Sequence, residues 1–176
     1  MTLQLARSLY TRRYGHESPA FARCYELLQE HVSGRVRVLD AGQGPSRFVR
    51  EVVGTQPRLV GVDAQWPISH PENGDLPGAA NLFLQSRLEQ LPFGDANFDV
   101  VVCLMVVEHL ENPGACFAEF HRVLRPGGRL LMFTTNVLNP IMLVSRILPL
   151  HAKQAVIRRF LSFRGDVAVH PTFYRA

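Results

Sequence analysis

The sequence predicts an α/β fold, an open parallel sheet with helices on both of its faces. Apolar, strand-like runs alternate with amphipathic stretches along the chain, which is the pattern of parallel strand–helix–strand units. The run 98–104 is apolar almost throughout, as expected of a strand that is buried on both faces. A glycine-rich turn directly follows the first strand. From these features we expect the strand order 3-2-1-4-5.

The individual elements are assigned from periodicity and from the residues that begin or end them. Ser18 is placed to cap a first helix that begins at Pro19, and Ser46 is placed to cap a second. A third amphipathic helix stops at the turn 125–128, and the proline- and glycine-rich stretch 64–80 predicts an irregular loop. The expected strands are 35–40, 58–63, 81–85, 98–104 and 129–135, and the expected helices are 19–32, 46–53 and 113–124.

Length and composition bound the class of protein. The 176 residues fit one domain, and 47% apolar with 19% charged residues are typical of a chain with a hydrophobic core. The longest apolar run, 100–107, is too short to span a bilayer, and the N-terminus lacks the apolar stretch of a secretory signal. Three cysteines without a CxxC pair and seven histidines without ligand spacing favour a cytoplasmic protein that holds no metal.

The net charge of +4 is concentrated at the C-terminal end. Residues 140–176 hold six basic residues against one acid, whereas residues 1–139 hold 13 basic and 14 acidic residues. We therefore divide the chain into a core domain, 1–139, and a basic, apolar and helical extension, 140–176. No helix-turn-helix, zinc knuckle or aromatic RNA-binding motif accompanies the charge, so nucleic acid is not the expected partner.

The stretch VLDAGQGPS, residues 38–46, holds the residues most typical of a ligand site. Its strand ends in Asp40, and Gly42 and Gly44 allow the turn a positive φ and let a ligand lie against the backbone. Open parallel sheets bind ligands at the carboxyl ends of their strands. A tight turn in an unrelated α/β protein is the alternative interpretation.

Asp63 ends the second strand and is the second candidate binding residue. A carboxylate there is placed to accept two hydrogen bonds from the ribose hydroxyls of a nucleoside cofactor, as in dinucleotide-binding folds. The alternative is an exposed aspartate that caps the loop after the strand.

Together with three further motifs, these residues resemble the class I S-adenosylmethionine-dependent methyltransferases, and the type 11 group in particular. VGVD ends the second strand, LEQLPFGDANFDVVVCLMVVEHLENP surrounds the fourth, and EFHRVLRPGGRLLMFTTN contains the fifth. The resemblance extends over residues 35–136 in the family's motif order. It implies a Rossmann-like sheet, S-adenosylmethionine as the methyl donor, and a small-molecule or lipid-like methyl acceptor.

The resemblance also implies roles for single residues. Gly42 and Gly44 would lie against the methionine and ribose portion of the cofactor. Asp40 would organise their turn, and Asp63 would hold both ribose hydroxyls. The remaining implied positions are the adenine site, Arg87 and Leu88, and the sulfonium end, Cys103 and Leu104.

The chain departs from the family's pattern at three points. Ser46 stands where a third glycine is common. Arg87 stands where an aspartate often accepts the adenine amino group, and an arginine can stack on adenine but cannot accept that hydrogen bond. The family's sixth and seventh strands have no counterpart, which would leave 129–135 as an exposed apolar edge strand. We expect either a fragment of a longer protein or a cover formed by the C-terminal helices.

His109 is the expected base if the methyl acceptor must lose a proton, because it follows the fourth strand. The alternative is a histidine bonded to backbone at a helix start, and Glu108 is equally open to a structural interpretation. The stretch 140–164 could pack over the sheet, wall the acceptor pocket or contact a membrane surface. No obligate protein partner is indicated. The alternative function is a noncatalytic protein of the same fold that binds the cofactor or serves as a scaffold.

Overall fold

The computed structural model describes residues 19–32, 34–44, 48–54, 58–65 and 82–134. The caps expected at Ser18 and Ser46, most of the loop 64–80 and the extension 140–176 lie outside these residues. In the described ranges, no helix is long and apolar enough to cross a bilayer. The elements are α1 (Pro19–His31), β1 (Arg37–Ala41), α2 (Phe48–Val53), β2 (Arg58–Asp63), β3 (Leu82–Gln85), β4 (Phe98–Leu104), a 3-10 helix (Val107–His109), α3 (Pro113–Val123) and β5 (Leu124–Phe133).

The five strands form one parallel sheet in the order β3-β2-β1-β4-β5, which confirms the predicted topology. β1 lies at its centre, where Asp40 is opposite Gly61 of β2 and Val102 of β4. β2 and β4 have the predicted bounds, whereas β1 is shifted toward the glycine turn. Because every strand runs in the same direction, all five carboxyl ends meet at one edge of the sheet, which we call the carboxyl edge.

Helices cover both faces of the sheet, as predicted. Alternate side chains of each strand point to opposite faces and so supply two separate hydrophobic cores. The core on the α1 and α2 face includes Tyr25, Leu28, Val38, Val49, Val52, Val100 and Val102. The core on the α3 face includes Leu39, Val101, Cys103, Cys116, Phe120 and Val123.

Asn112 caps α3 by accepting a hydrogen bond from the backbone N–H of Ala115 at 3.2 Å.

The connection from β3 to β4 is hydrogen-bonded to the other end of α3. The Arg122 guanidinium donates to the carbonyl oxygens of Leu91 and Phe93 at 3.1 and 2.7 Å. Glu119 accepts from the backbone N–H of Leu91 at 2.7 Å and also binds the Arg122 guanidinium. These bonds satisfy backbone groups that the connection would otherwise leave unpaired.

The start of β5 corrects the turn expected at 125–128. Leu124 already pairs with Phe98, and regular pairing resumes with Arg129 opposite Val100. The four residues between therefore form an irregular bulge within β5 rather than a turn before it. A bulge escapes prediction because proline and glycine mark both features.

Asp99 anchors this bulge. Its carboxylate forms an ion pair with Arg125 and accepts a hydrogen bond from the backbone N–H of Arg37 at 2.6 Å. Among the described strands, β5 lies at the edge of the sheet, and Leu130 and Met132 are 38% and 45% exposed. Within the described residues, β5 is thus the apolar edge strand that the sequence predicts.

Substitution of Gly128 by alanine tests the bulge. Its added Cβ would lie 2.9 Å from the carbonyl oxygen of Arg125 and 3.1 Å from that of Asp99. We expect Gly128→Ala to lower the free energy of unfolding by about 1–3 kcal/mol, the usual cost of extra volume in a packed site. Gly94→Ala is the matched control, because no atom of the described residues lies within 4 Å of its added Cβ. Equal urea-denaturation curves for the two variants would contradict the close backbone approach.

Candidate functional site

The end of β2 holds the glycine turn that follows β1. The Val62 carbonyl oxygen accepts hydrogen bonds from the backbone N–H groups of Gly42 and Gln43 at 2.8 and 3.1 Å. The Asp63 carboxylate accepts one from the N–H of Gly44 at 2.9 Å and a second from Gln65 at 2.9 Å. Three successive amides of the turn are therefore bound to two residues of the neighbouring strand.

Gly42 and Gly44 serve different steric needs within this turn. Gly42 has a φ of 77°, and a Cβ there would lie 2.4 Å from a methyl carbon of Val106. The segment after β4 therefore packs directly against the glycine turn. Gly44 has a φ of 52°, and no atom of the described residues lies within 4 Å of its Cβ position. Among the described residues, the turn is therefore open at Gly44, beside the Asp63 carboxylate, which leaves room for a ligand.

Gln43 is a buried residue of the turn that the sequence motifs did not single out. A Cβ on Gly61 would lie 1.5 Å from the Gln43 side-chain oxygen, so this side chain lies directly over the backbone of β2. A glycine inside a strand often marks such a close approach, and Gly61 was the available sequence signal. The contact adds a second attachment of the turn to β2.

Asp40 is buried beneath the turn, with 5% of its surface exposed. Burial, together with the nearby negative charge of Asp63, raises the pKa of its carboxyl to about 8. Asp63 accepts the hydrogen bond from the Gly44 amide, and the role in organising the turn that the resemblance implies for Asp40 stays a prediction. Asp40 contributes a titratable group at the centre of the carboxyl edge.

The end of β4 combines a buried thiol with a strained backbone. Cys103 is fully buried in the core on the α3 face, while Leu104 is half-buried. Burial raises the pKa of the Cys103 thiol above its usual range, and the carboxylates of Asp40 and Glu108 raise it as well. Met105 follows with a φ of 57°, and its N–H donates to the Phe133 carbonyl oxygen at 2.7 Å. A non-glycine residue in this conformation is uncommon and concentrates at functional sites.

The 3-10 helix after β4 separates Glu108 from His109. Glu108 is 3% exposed, and its carboxylate accepts a hydrogen bond from the Thr134 hydroxyl at 2.8 Å. His109 is half-buried, and its backbone N–H donates to the Val106 carbonyl oxygen at 2.8 Å. Of these two residues, Glu108 is therefore the more deeply buried. Its burial had no sequence signal, since three residues are too few to show a helical period.

Arg87 and Leu88 follow β3 at the same carboxyl edge but face different surroundings. Leu88 is buried in the core on the α3 face. Arg87 is 68% exposed and lies 3.4 Å from a carboxylate oxygen of Glu89 and 4.0 Å from one of Glu111. Since Glu111 follows β4, the loops after β3 and β4 meet across the intervening ends of β2 and β1. Exposed pairs of this kind contribute little to stability.

The carboxyl edge therefore brings Asp40, Gly42, Gly44 and Asp63 together with the ends of β3 and β4. Its glycine turn and strand-end carboxylate fit a nucleoside cofactor such as S-adenosylmethionine. Among the described residues, no three His, Cys, Asp or Glu side chains lie together as a metal site. A parallel sheet with a glycine turn after β1 and an acid after β2 defines a Rossmann-like protein with a nucleotide-type cofactor site.

Comparison with known proteins identifies the family. A model of the methyltransferase domain matches residues 39–132, just over half of the chain. The chain therefore belongs to the class I S-adenosylmethionine-dependent methyltransferases.

Curated relatives and solved structures agree with this assignment. The chain is 33% identical over 112 residues to a Mycolicibacterium smegmatis protein described as a probable S-adenosylmethionine-dependent methyltransferase, covering 64% of this chain and 42% of the relative. It is 29% identical to the malonyl-[acyl-carrier protein] O-methyltransferase of Erwinia pyrifoliae, covering 86% and 57%. The structure of the Burkholderia thailandensis 1,6-didemethyltoxoflavin-N1-methyltransferase, bound to 1,6-didemethyltoxoflavin and S-adenosylhomocysteine, matches with a TM-score of 0.52 and 25% identity, covering 72% of this chain and 60% of that one. The chain spans about half the length of the curated relatives it matches.

The raised pKa of Asp40 predicts a pH dependence of stability. The folded protein binds this proton more tightly than the unfolded chain, so stability falls as pH rises from about 4 to about 8. Asp40→Asn removes this titration, and its free energy of unfolding should fall less over the same range. Urea denaturation at several pH values measures the difference. Glu111→Gln, which changes an exposed carboxylate, should retain the wild-type pH dependence, and an identical response of the two variants would contradict the burial of Asp40.

Proposed function

We propose that this protein is a methyltransferase that uses S-adenosylmethionine to methylate a small-molecule or lipid-like acceptor. The observation that carries the proposal is the attachment of Gly44 to the Asp63 carboxylate, beside an open glycine position at the carboxyl edge. Membership of the family supports the same activity. The proposed class of reaction is transfer of a methyl group, EC 2.1.1.

Residues around the glycine turn would hold the cofactor. Each Asp63 oxygen accepts one backbone N–H, and a carboxylate oxygen has capacity for a second donor, so both remain able to accept from ribose hydroxyls. The open backbone at Gly44 would lie against the ligand. Asp40, buried beside it, would favour a cationic group of the ligand whenever its carboxyl is ionised. Arg87 would lie beside adenine, where its guanidinium can stack but cannot accept a hydrogen bond.

The protein's contribution to the reaction is mainly alignment. When bound, S-adenosylmethionine supplies a methyl group already activated by the positive sulfonium. Holding the acceptor in line with that group is worth about 7–11 kcal/mol in well-oriented systems. Leu104 and the backbone of Cys103 would border the methyl group, and His109 would take a proton from an acceptor that must lose one.

The expected methyl acceptor is a small molecule or a lipid-like group. The names of two relatives specify transfer to oxygen in one case and to nitrogen in the other, both on acceptors other than nucleic acid. Contact of residues 140–164 with an acceptor or a membrane surface stays a prediction, because these residues lie outside the described part. We also propose a cytoplasmic location, since the described cysteines are free and buried.

A noncatalytic cofactor-binding or scaffold protein is the second candidate. The observation that favours it is the pairing of Arg87 with two glutamates at the position where the family often places an adenine acceptor. Isothermal titration with S-adenosylmethionine and S-adenosylhomocysteine separates a cofactor binder from an empty scaffold. A methyl-transfer screen over hydroxyl, amine, thiol and carboxylate acceptors then separates an enzyme from a binder. Absence of binding by both cofactor forms would contradict the proposed function.

Asp63→Ala tests the cofactor site. The change removes the bond to Gly44 and the acceptor for the ribose hydroxyls, so S-adenosylhomocysteine should bind more weakly by about 2–3 kcal/mol. Asp95→Ala is the control, because Asp95 precedes β4 at the opposite edge of the sheet and should leave the affinity unchanged. Calorimetry on both folded variants gives the comparison. Wild-type affinity in Asp63→Ala would remove this carboxylate from the site.

A further inference from the structure

Glu108 is a buried acid at the start of the segment that follows β4, with 3% of its surface exposed. Thr134, just beyond β5, donates its hydroxyl to one Glu108 oxygen at 2.8 Å. Burial of a carboxylate is costly unless its oxygens are satisfied. A carboxylate has two acceptor oxygens with room for several donors, so Glu108 has the capacity to accept a further hydrogen bond from a ligand.

Glu108 lies close to the carboxyl edge. Its negative charge acts on the Cys103 thiol at the end of β4, as does that of Asp40 at the centre of the edge. Two residues before Glu108, the Val106 side chain is in contact with the glycine turn at Gly42. The segment that carries Glu108 thus packs against the turn on one side and borders the end of β4 on the other.

We propose that Glu108 faces the position of the transferred methyl group and accepts a hydrogen bond from the nucleophile of the acceptor, with Thr134 as its positioning residue. This inference rests on the proposed function. A hydrogen bond to Glu108 favours acceptors whose nucleophile is still protonated, such as a hydroxyl or an amine. It disfavours acceptors whose nucleophile has already lost its proton. A fixed carboxylate repels an anionic nucleophile in a site of low dielectric.

The proton balance of the step follows from this contact. A lone pair of the nucleophile forms the bond to the methyl carbon, while the electron pair of the breaking carbon–sulfur bond stays on sulfur. The proton of the nucleophile passes to the Glu108 carboxylate, and S-adenosylhomocysteine and the methylated acceptor are the products. Glu108 would then supply the proton acceptor for which His109 was the candidate by sequence.

A pair of ligands tests this contact without knowledge of the acceptor. Sinefungin carries an ammonium-bearing carbon in place of the sulfur, whereas S-adenosylhomocysteine has a neutral thioether there. Both share the adenosine and amino-acid groups, so the ratio of their dissociation constants isolates the methyl-transfer position. Isothermal titration of the full chain should show that sinefungin binds more tightly. Glu108→Gln should reduce that preference by about tenfold, through loss of a hydrogen bond between charged partners.

Further variants separate direct contact from a structural role. Thr134→Val should lower the sinefungin preference, and Thr134→Ser, which keeps the hydroxyl, should preserve it. Glu111→Gln changes an exposed carboxylate two residues beyond His109 and should leave the ratio at its wild-type value. An unchanged ratio in Glu108→Gln, or an equal loss in Glu111→Gln, would overturn the assignment of Glu108. A loss confined to His109→Asn would overturn it in favour of His109.

The same titrations distinguish this inference from the function on which it rests. If wild-type protein binds neither ligand, the proposed function fails and the role of Glu108 falls with it. If both ligands bind and Glu108→Gln leaves the ratio of their dissociation constants unchanged, the proposed cofactor site is retained. Only the proposed contact of Glu108 is then wrong.

Discussion

The attachment of the glycine turn to the end of β2 is the interaction on which the rest of the site depends. Val62 and Asp63 together accept hydrogen bonds from three successive amides of the turn, Gly42 to Gly44. This arrangement requires β2 to lie beside β1 in parallel, with the two carboxyl ends level. The order of the sheet is therefore a condition of the candidate cofactor site and not only a support for it.

Close packing and buried acids accompany that attachment. The turn is held so close to its neighbours that Val106 fills the space of a Gly42 side chain, and Gln43 fills that of Gly61. Beneath it, Asp40 is removed from water, and Glu108 lies in a second buried position after β4. When they are ionised, these acids favour positive charge nearby, which is the charge that a sulfonium carries.

Much of this architecture could be predicted from local pattern. The bounds of β2 and β4 follow from apolar runs ended by an acid or a turn. The glycine spacing predicts that a ligand binds at the carboxyl edge, and this stays a prediction. The bulge before Arg129 and the burial of Glu108 could not be predicted, because both depend on partners distant in sequence, Phe98 and Thr134. The apolar residues of the sequence 113–124 recur at helical spacing and predict that Phe117 faces inward, but it is partly exposed. Helical spacing gives the direction of the apolar side of a helix and does not give the width of the core that it meets. The roles of Arg87, Leu88, Cys103 and Leu104 toward the cofactor stay predictions.

The most direct measurement is a crystal structure of the protein with S-adenosylhomocysteine. The account predicts that the ligand crosses the turn at Gly44, with its ribose hydroxyls within hydrogen-bond distance of the Asp63 carboxylate, while Asp63 keeps its bond to the Gly44 amide. A ligand bound away from the carboxyl edge, or an Asp63 carboxylate turned away from the ribose, would contradict it.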